Sequence, residues 1–170
     1  SMAVYKIVFI GPVGAGKTQA ISVLSDIEVV STEAQASDEV KDLKSQTTVA
    51  MDYGVMNLAN GDRVRLYGTP GQERFDFMWE ILTENALGLV LLLRASAPDP
   101  VKDLLTYIQA FGDTIRSTTL VVGITHSDWT DRSVRSDVAA ELTKQGLPAT
   151  VMNVDARERS DMAMLVKTLI

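Results

Sequence analysis

Apolar and polar positions follow two rhythms along this chain, and each change of rhythm marks an element. Val4–Ile10 (VYKIVFI) is a short apolar run rich in β-branched residues, the composition of a buried strand. Residues 19–24 then carry apolar side chains at helical spacing. A polar stretch over residues 28–47 has little periodicity, and is expected to be either a functional loop or, over 34–43, a surface helix. Residues 49–58 and 64–67 are strand-like and flank Asn60-Gly61-Asp62, a hairpin signal, so these two strands must run antiparallel.

Further on, the pattern becomes repeated βα units. Residues 87–93 form a continuous apolar run, as expected of a central parallel strand buried on both faces. Pro98 and Pro100 open a helix whose apolar stripe is Val101, Leu104, Leu105, Ile108 and Phe111. Residues 119–124 (TLVVGI) are the next strand, and 133–145 a polar helix stopped by Gly146 and Pro148. Residues 149–154 and 161–169 supply a last strand and a last helix. The fold expected is α/β: a mostly parallel, six-stranded sheet with one antiparallel edge hairpin and helices on both faces. Ligands of such sheets sit beyond the carboxyl ends of the strands.

Composition narrows the class. The length of 170 residues suits a single domain, taken as residues 2–170, because Ser1 ahead of Met2 reads as a cleavage scar. The apolar start contains Lys6 and is not expected to be a signal peptide, and the run over 87–93 is far too short to cross a bilayer. The absence of cysteine excludes disulfides, prenylation and palmitoylation, and Ala3 excludes N-myristoylation, so no lipid anchor is expected. With 22 acidic against 16 basic residues, net charge −6, nucleic acid and anionic lipid are poor main partners. A cytoplasmic location is the expectation.

The chemistry centres on residues 11–18, GPVGAGKT, which fill every fixed position of G-x-x-x-x-G-K-[ST] between a strand and a helix. Glycines let the backbone curl so that successive N–H groups cradle phosphate oxygens, and the following helix adds its positive end. Lys17 would neutralise the outer phosphates, and the Thr18 hydroxyl would ligate Mg²⁺. A second element, residues 66–75 (LYGTPGQERF), offers Gly71, where a backbone can approach phosphate closely, and Gln72, whose amide can both donate to and accept from water. A third is Thr125-His126-Ser127-Asp128, following a strand. A carboxylate there accepts from both N1–H and the 2-amino group of guanine, and would face adenine unfavourably.

Taken together these residues resemble the Ras-like small GTPases, P-loop proteins with a G domain, over the whole chain from Tyr5 to Leu169. The resemblance looks closest to the bacterial Mgl-type (polarity and gliding) GTPases, which read Pro-Gly-Gln in the second switch. It implies that Gly11, Val13, Gly14, Ala15, Gly16, Lys17, Thr18 and Gln19 line GTP or GDP. Thr48, or failing it Thr47, would close over Mg²⁺ and the γ-phosphate. Gly71 would donate its N–H to that phosphate, and Gln72 would act with Lys17 in catalysis by orienting the attacking water. Thr125, His126 and Asp128 would meet the base; His126 either lies over it or is simply an exposed residue before a turn. Asp155, Ala156 and Arg157 stand where the family has its Ser-Ala-Lys stretch, with the Ala156 N–H on the guanine O6 and Arg157 covering the base. A Roadblock/LC7-type regulator and an effector at the switch loops are the implied protein partners.

Two departures bear on the chemistry. The aspartate that most family members place before the second switch is Gly68 here, and its loss should loosen the metal. Val13 replaces a usual glycine next to where Gln72 must fit, and the phosphate loop itself contains no arginine. Unassisted hydrolysis is therefore expected to be slow, on the order of 10⁻⁴ to 10⁻² per second. The same departures suggest an alternative, a nucleotide-binding scaffold with negligible hydrolysis. A P-loop kinase of a small metabolite is disfavoured, because the chain has no arginine-rich lid insertion. Met162 and Met164 are expected to fill the core, while Phe77 and Trp79 suit either packing or a partner surface.

Overall fold

A computed structural model describes residues 2–31, 52–69, 77–126 and 133–170, with the backbone alone for 77–79. In chain order the elements are β1 (Val4–Ile10), α1 (Lys17–Leu24), β2 (Val30–Ser31), β3 (Asp52–Asn57), β4 (Arg63–Gly68) and α2 (Phe77–Thr83). They continue as β5 (Gly88–Arg94), α3 (Pro100–Ser117), β6 (Thr119–Thr125), α4 (Ser133–Lys144), β7 (Thr150–Asn153) and α5 (Arg159–Leu169). One sheet runs β2-β3-β4-β1-β5-β6-β7. β4, β1, β5, β6 and β7 are mutually parallel, while β3 is antiparallel to β4 and β2 to β3.

The α/β reading holds, with one correction: the sheet has seven strands rather than six. The extra strand, β2, is two exposed residues pairing with Tyr53 and Asp52, too short to leave any alternation in the polar stretch. It takes the edge outside the expected hairpin, whose turn is closed by Leu58 N–H to Asp62 O at 2.8 Å. The short helix α2 was not foreseen either. The proposed helix over 34–43 lies outside the described residues.

Alternation along β1 and β5 splits the core between the two faces of the sheet. Val8, Ile10, Leu89, Leu91 and Leu93 pack with Leu104, Ile108 and Val138 of α3 and α4. Ile7, Phe9, Val90 and Leu92 pack with Ile21 and Leu24 of α1 and Leu165 and Val166 of α5. Each such side chain, fully buried, contributes about 1.5–3 kcal/mol, so the stripe read in α3 is what fixes that helix to the sheet. Asp99 caps its start by accepting from Lys102 N–H at 3.1 Å. Met162 joins the second core as expected, whereas Met164, on the outer side of α5, is exposed.

The same topology gathers the chemistry at one end. The carboxyl ends of β1, β4, β5, β6 and β7 lie together, and because β3 runs the other way its first residue, Asp52, joins them. Among the described residues no helix is long and apolar enough to cross a membrane.

Candidate functional site

The phosphate loop leaves β1 at Gly11, whose φ is +147°, and a Cβ there would stand 2.3 Å from the Leu92 carbonyl oxygen on the neighbouring strand. No side chain fits, so the turn is held to glycine by both conformation and space. Gly16, with φ +105°, starts α1 where a Cβ would lie 2.9 Å from that of Ala156. The motif's two fixed glycines thus answer to sheet packing and to the 155–157 segment respectively.

Lys17 is buried, and its ammonium donates to the carbonyl of Gly11 and to that of Pro12 at 3.0 Å. An ammonium is thereby held against the loop, a position from which it can meet an anionic ligand. Val13 is 72% exposed, and Gly14 and Gln19 are also exposed. Ala15 is buried, and its carbonyl accepts from the Thr125 hydroxyl at 2.6 Å. That bond ties the end of β6 to the loop. Thr69 ties the chain leaving β4 to β1, donating its N–H and hydroxyl to Phe9 O at 3.0 and 3.2 Å.

Two residues here were not singled out by the sequence. Arg94, at the end of β5, donates from Nε to Ser96 Oγ at 2.6 Å, and its Nη1 lies 3.3 Å from where a Cβ of Gly14 would be. The loop lacks an arginine of its own, but β5, the strand paired with β1, brings one beside it. Asp52 is wholly buried, and its Oδ2 accepts from the Thr18 hydroxyl at 2.7 Å. A carboxylate on the core-facing side of β3, in line with Gly54 and Met56, was a visible signal: it breaks an otherwise apolar face.

On the other side of the loop, His126 is exposed and adopts a left-handed backbone, φ 51°. The chain leaving β7 is bonded back to β6 by Val154 N–H to Ile124 O at 2.9 Å, which brings 155–157 next to 125–126. Ala156 is buried against Gly16. Arg157 does not lie free: its Nε and Nη2 donate to the two carboxylate oxygens of Asp155 at 3.0 and 2.9 Å. This bidentate hold, with the Arg157 N–H and the positive field of His126, lowers the Asp155 pKa from 3.8 to about 2. Arg159 begins α5, and its Nη2 reaches Asp26 Oδ1 at 3.4 Å.

The structure therefore brings together Gly11, Val13, Gly14, Ala15, Gly16, Lys17, Thr18 and Gln19 with Thr125 and His126 and with Asp155, Ala156 and Arg157. Thr47, Thr48, Gly71, Gln72 and Asp128 lie outside the described residues, and so do the side chains of Phe77 and Trp79.

Comparison with known proteins adds three findings. An intraflagellar transport protein 22 homolog from Danio rerio is 28% identical over 111 residues, covering 62% of this chain and 56% of that protein. The chain thus spans about half the length of this curated relative. The crystal structure of a bacterial selenocysteine-specific elongation factor, EF-Sec, matches 99% of this chain and 29% of its own at TM-score 0.64 and 20% identity, a likeness of fold. Residues 26–169 match a family described as conserved hypothetical ATP binding protein, a match that begins after the phosphate loop and covers most of the chain. The chain belongs to that family of nucleotide-binding proteins.

Proposed function

We propose that this protein is a guanine-nucleotide-binding switch that hydrolyses GTP to GDP and phosphate slowly and changes its partner affinity as it does so. The observation that carries the reading is the phosphate loop: a complete motif, its Lys17 buried, its Ala15 bolted to the end of β6 by Thr125. Backbone N–H groups and Lys17 would hold the phosphates, Thr18 and Thr48 would hold Mg²⁺, and Mg²⁺ would neutralise charge developing on the phosphoryl oxygens. Gln72 would orient the attacking water, and Gly71 and Thr48 would be the residues released when the γ-phosphate leaves. Asp128 would select guanine, three residues on in sequence from the strand end that Thr125 ties to the loop. Partners would be an effector and a Roadblock/LC7-type regulator at the switch loops, as in the Mgl-type proteins.

The family's description names ATP, which favours an adenine nucleotide as a second reading. It leaves the phosphate chemistry unchanged and removes the role of Asp128. Single-turnover hydrolysis tests the switch. GTP should be cleaved slowly in Mg²⁺, and Gln72→Ala should be slower still. Val13→Gly should be faster, because clearing a β-branched side chain from the path of Gln72 restores positioning worth on the order of a hundredfold per ångström. A wild-type rate no higher than that of Gln72→Ala would favour the scaffold alternative.

A further inference from the structure

We infer that Asp52 is the carboxylate that steadies a Mg²⁺ ion beside Thr18, supplied from β3 in place of one at position 68. The inference rests on the nucleotide-switch reading above. Asp52 occupies the first core-facing position of β3 and has no exposed surface. Taking a carboxylate out of water costs several kcal/mol unless partners replace the water. One oxygen has a partner, the Thr18 hydroxyl at 2.7 Å. The other, Oδ1, is buried with none, and among the described residues Asp52 takes part in no ion pair. An acidic oxygen left in that state, the one buried side-chain polar atom without a partner among the described residues, is poised for a cation or for water bound to one.

Thr18 completes the argument. A hydroxyl has one proton and two lone pairs. Giving the proton to Asp52 leaves the lone pairs of Oγ1 for a metal, so one bond both orients the ligand and places an anion behind it. Mg²⁺ keeps several waters and is held through one or two carboxylates together with substrate phosphates. That fits the finding that no group of three or more acidic or histidine side chains clusters among the described residues.

Gly68 then has a different meaning from a lost ligand. It is the cross-strand partner of Asp52 in the β3–β4 register. A Cβ at 68 would stand 3.3 Å from both Cβ and Oδ2 of Asp52, and 2.9 Å from Ile21 Cδ1. A side chain there would press on the carboxylate that bonds Thr18. The glycine and the aspartate form one arrangement, in which the carboxylate has moved across the ladder from β4 to β3.

The test follows release of fluorescent GDP from the full chain as free Mg²⁺ is varied. Wild-type release should slow with Mg²⁺. In Asp52→Asn the Mg²⁺ concentration giving half the effect should rise about ten- to hundredfold, with the rate in EDTA unchanged. Thermal unfolding of nucleotide-free Asp52→Asn should occur at the wild-type temperature or above, since a buried charge with an unpaired oxygen is gone. An Asp52→Asn midpoint equal to wild type, or release accelerated equally with and without Mg²⁺, overturns the inference while leaving the nucleotide reading intact. A second variant decides independently of how Asp52→Asn folds: Gly68→Asp should leave the Mg²⁺ midpoint unchanged or weaker. Tightening by tenfold or more would mean that the site lacked a carboxylate. Wild-type protein that fails to bind GDP at all would bring down the nucleotide reading and this inference together.

Discussion

Around residues 11–18 buried polar groups tie the loop down: Lys17 bonds to the loop carbonyls, Thr125 reaches Ala15 from β6, and the buried Asp52 takes the bond of the exposed Thr18, 34 residues away in sequence. Around 126 and 155–157 the polar side chains are exposed and bond locally, with Arg157 held by a residue two positions before it. The difference is instructive because the two ends of a nucleotide ask for different things. Phosphates are alike in every nucleotide, and a rigid, prebuilt cradle serves them all. A base must be told from its rivals, and that falls to loops at the ends of strands, which can vary without disturbing the core.

The largest effect should come from removing the buried charge at the phosphate end. Lys17→Ala should weaken GDP binding by a hundredfold or more, since charge-assisted bonds of this kind contribute up to about 3 kcal/mol. Calorimetric titration measures it, and an affinity within threefold of wild type would deny the loop its role. Next comes the bolt between the two ends. Thr125→Val preserves shape but leaves the buried Ala15 carbonyl without its hydroxyl donor, a cost of about 1–3 kcal/mol. Unfolding in denaturant should register that loss, with nucleotide affinity falling alongside. Unchanged stability would mean that the loop is held some other way.

The smallest effect belongs to the exposed pair. With Arg157 80% exposed, Arg157→Ala should change stability at neutral pH by no more than about 1 kcal/mol. Its signature is in acid. A depressed carboxylate pKa adds stability above its ordinary value, 3.8, which is lost as pH falls through about 2. Wild type and variant should therefore respond alike from neutral pH down to about 4, and diverge in their acid response only below it. Divergence near neutrality would show that Arg157 carries more than this pair.

The sequence made the phosphate end legible wherever the signal was local. Val4–Ile10, the glycine loop and the start of α1 are contiguous, and a motif of adjacent residues needs no knowledge of the fold. Asp52 stood out as a carboxylate on the apolar face of β3, but its role was not legible, because that depends on which residue lies opposite in the ladder and which helix packs above. Read linearly, Gly68 was a missing carboxylate; in register it stands beside a present one. Arg94 went unnoticed for a similar reason, since its approach to Gly14 depends on how the ends of β1 and β5 sit side by side. β2 escaped because two exposed residues carry no periodicity. The pairing of Arg157 with Asp155 shows the opposite limit: the two residues are adjacent but one in sequence, yet that spacing alone does not say whether the guanidinium covers a base or turns back on its neighbour.

Nucleotide choice tests the account most directly, because the phosphate end is indifferent to it and the whole case for a guanine switch passes through Asp128. Titrating the protein with GDP and with ADP under identical Mg²⁺ should give GDP at least about a hundredfold tighter, the margin expected when an acceptor that matches guanine is left facing the wrong base. Asp128→Asn should lose that preference and gain affinity for xanthosine diphosphate, because an amide can donate where the carboxylate only accepts. Equal affinities for GDP and ADP, or ADP the tighter, would contradict the account and return the site to the adenine nucleotide that its family's description names.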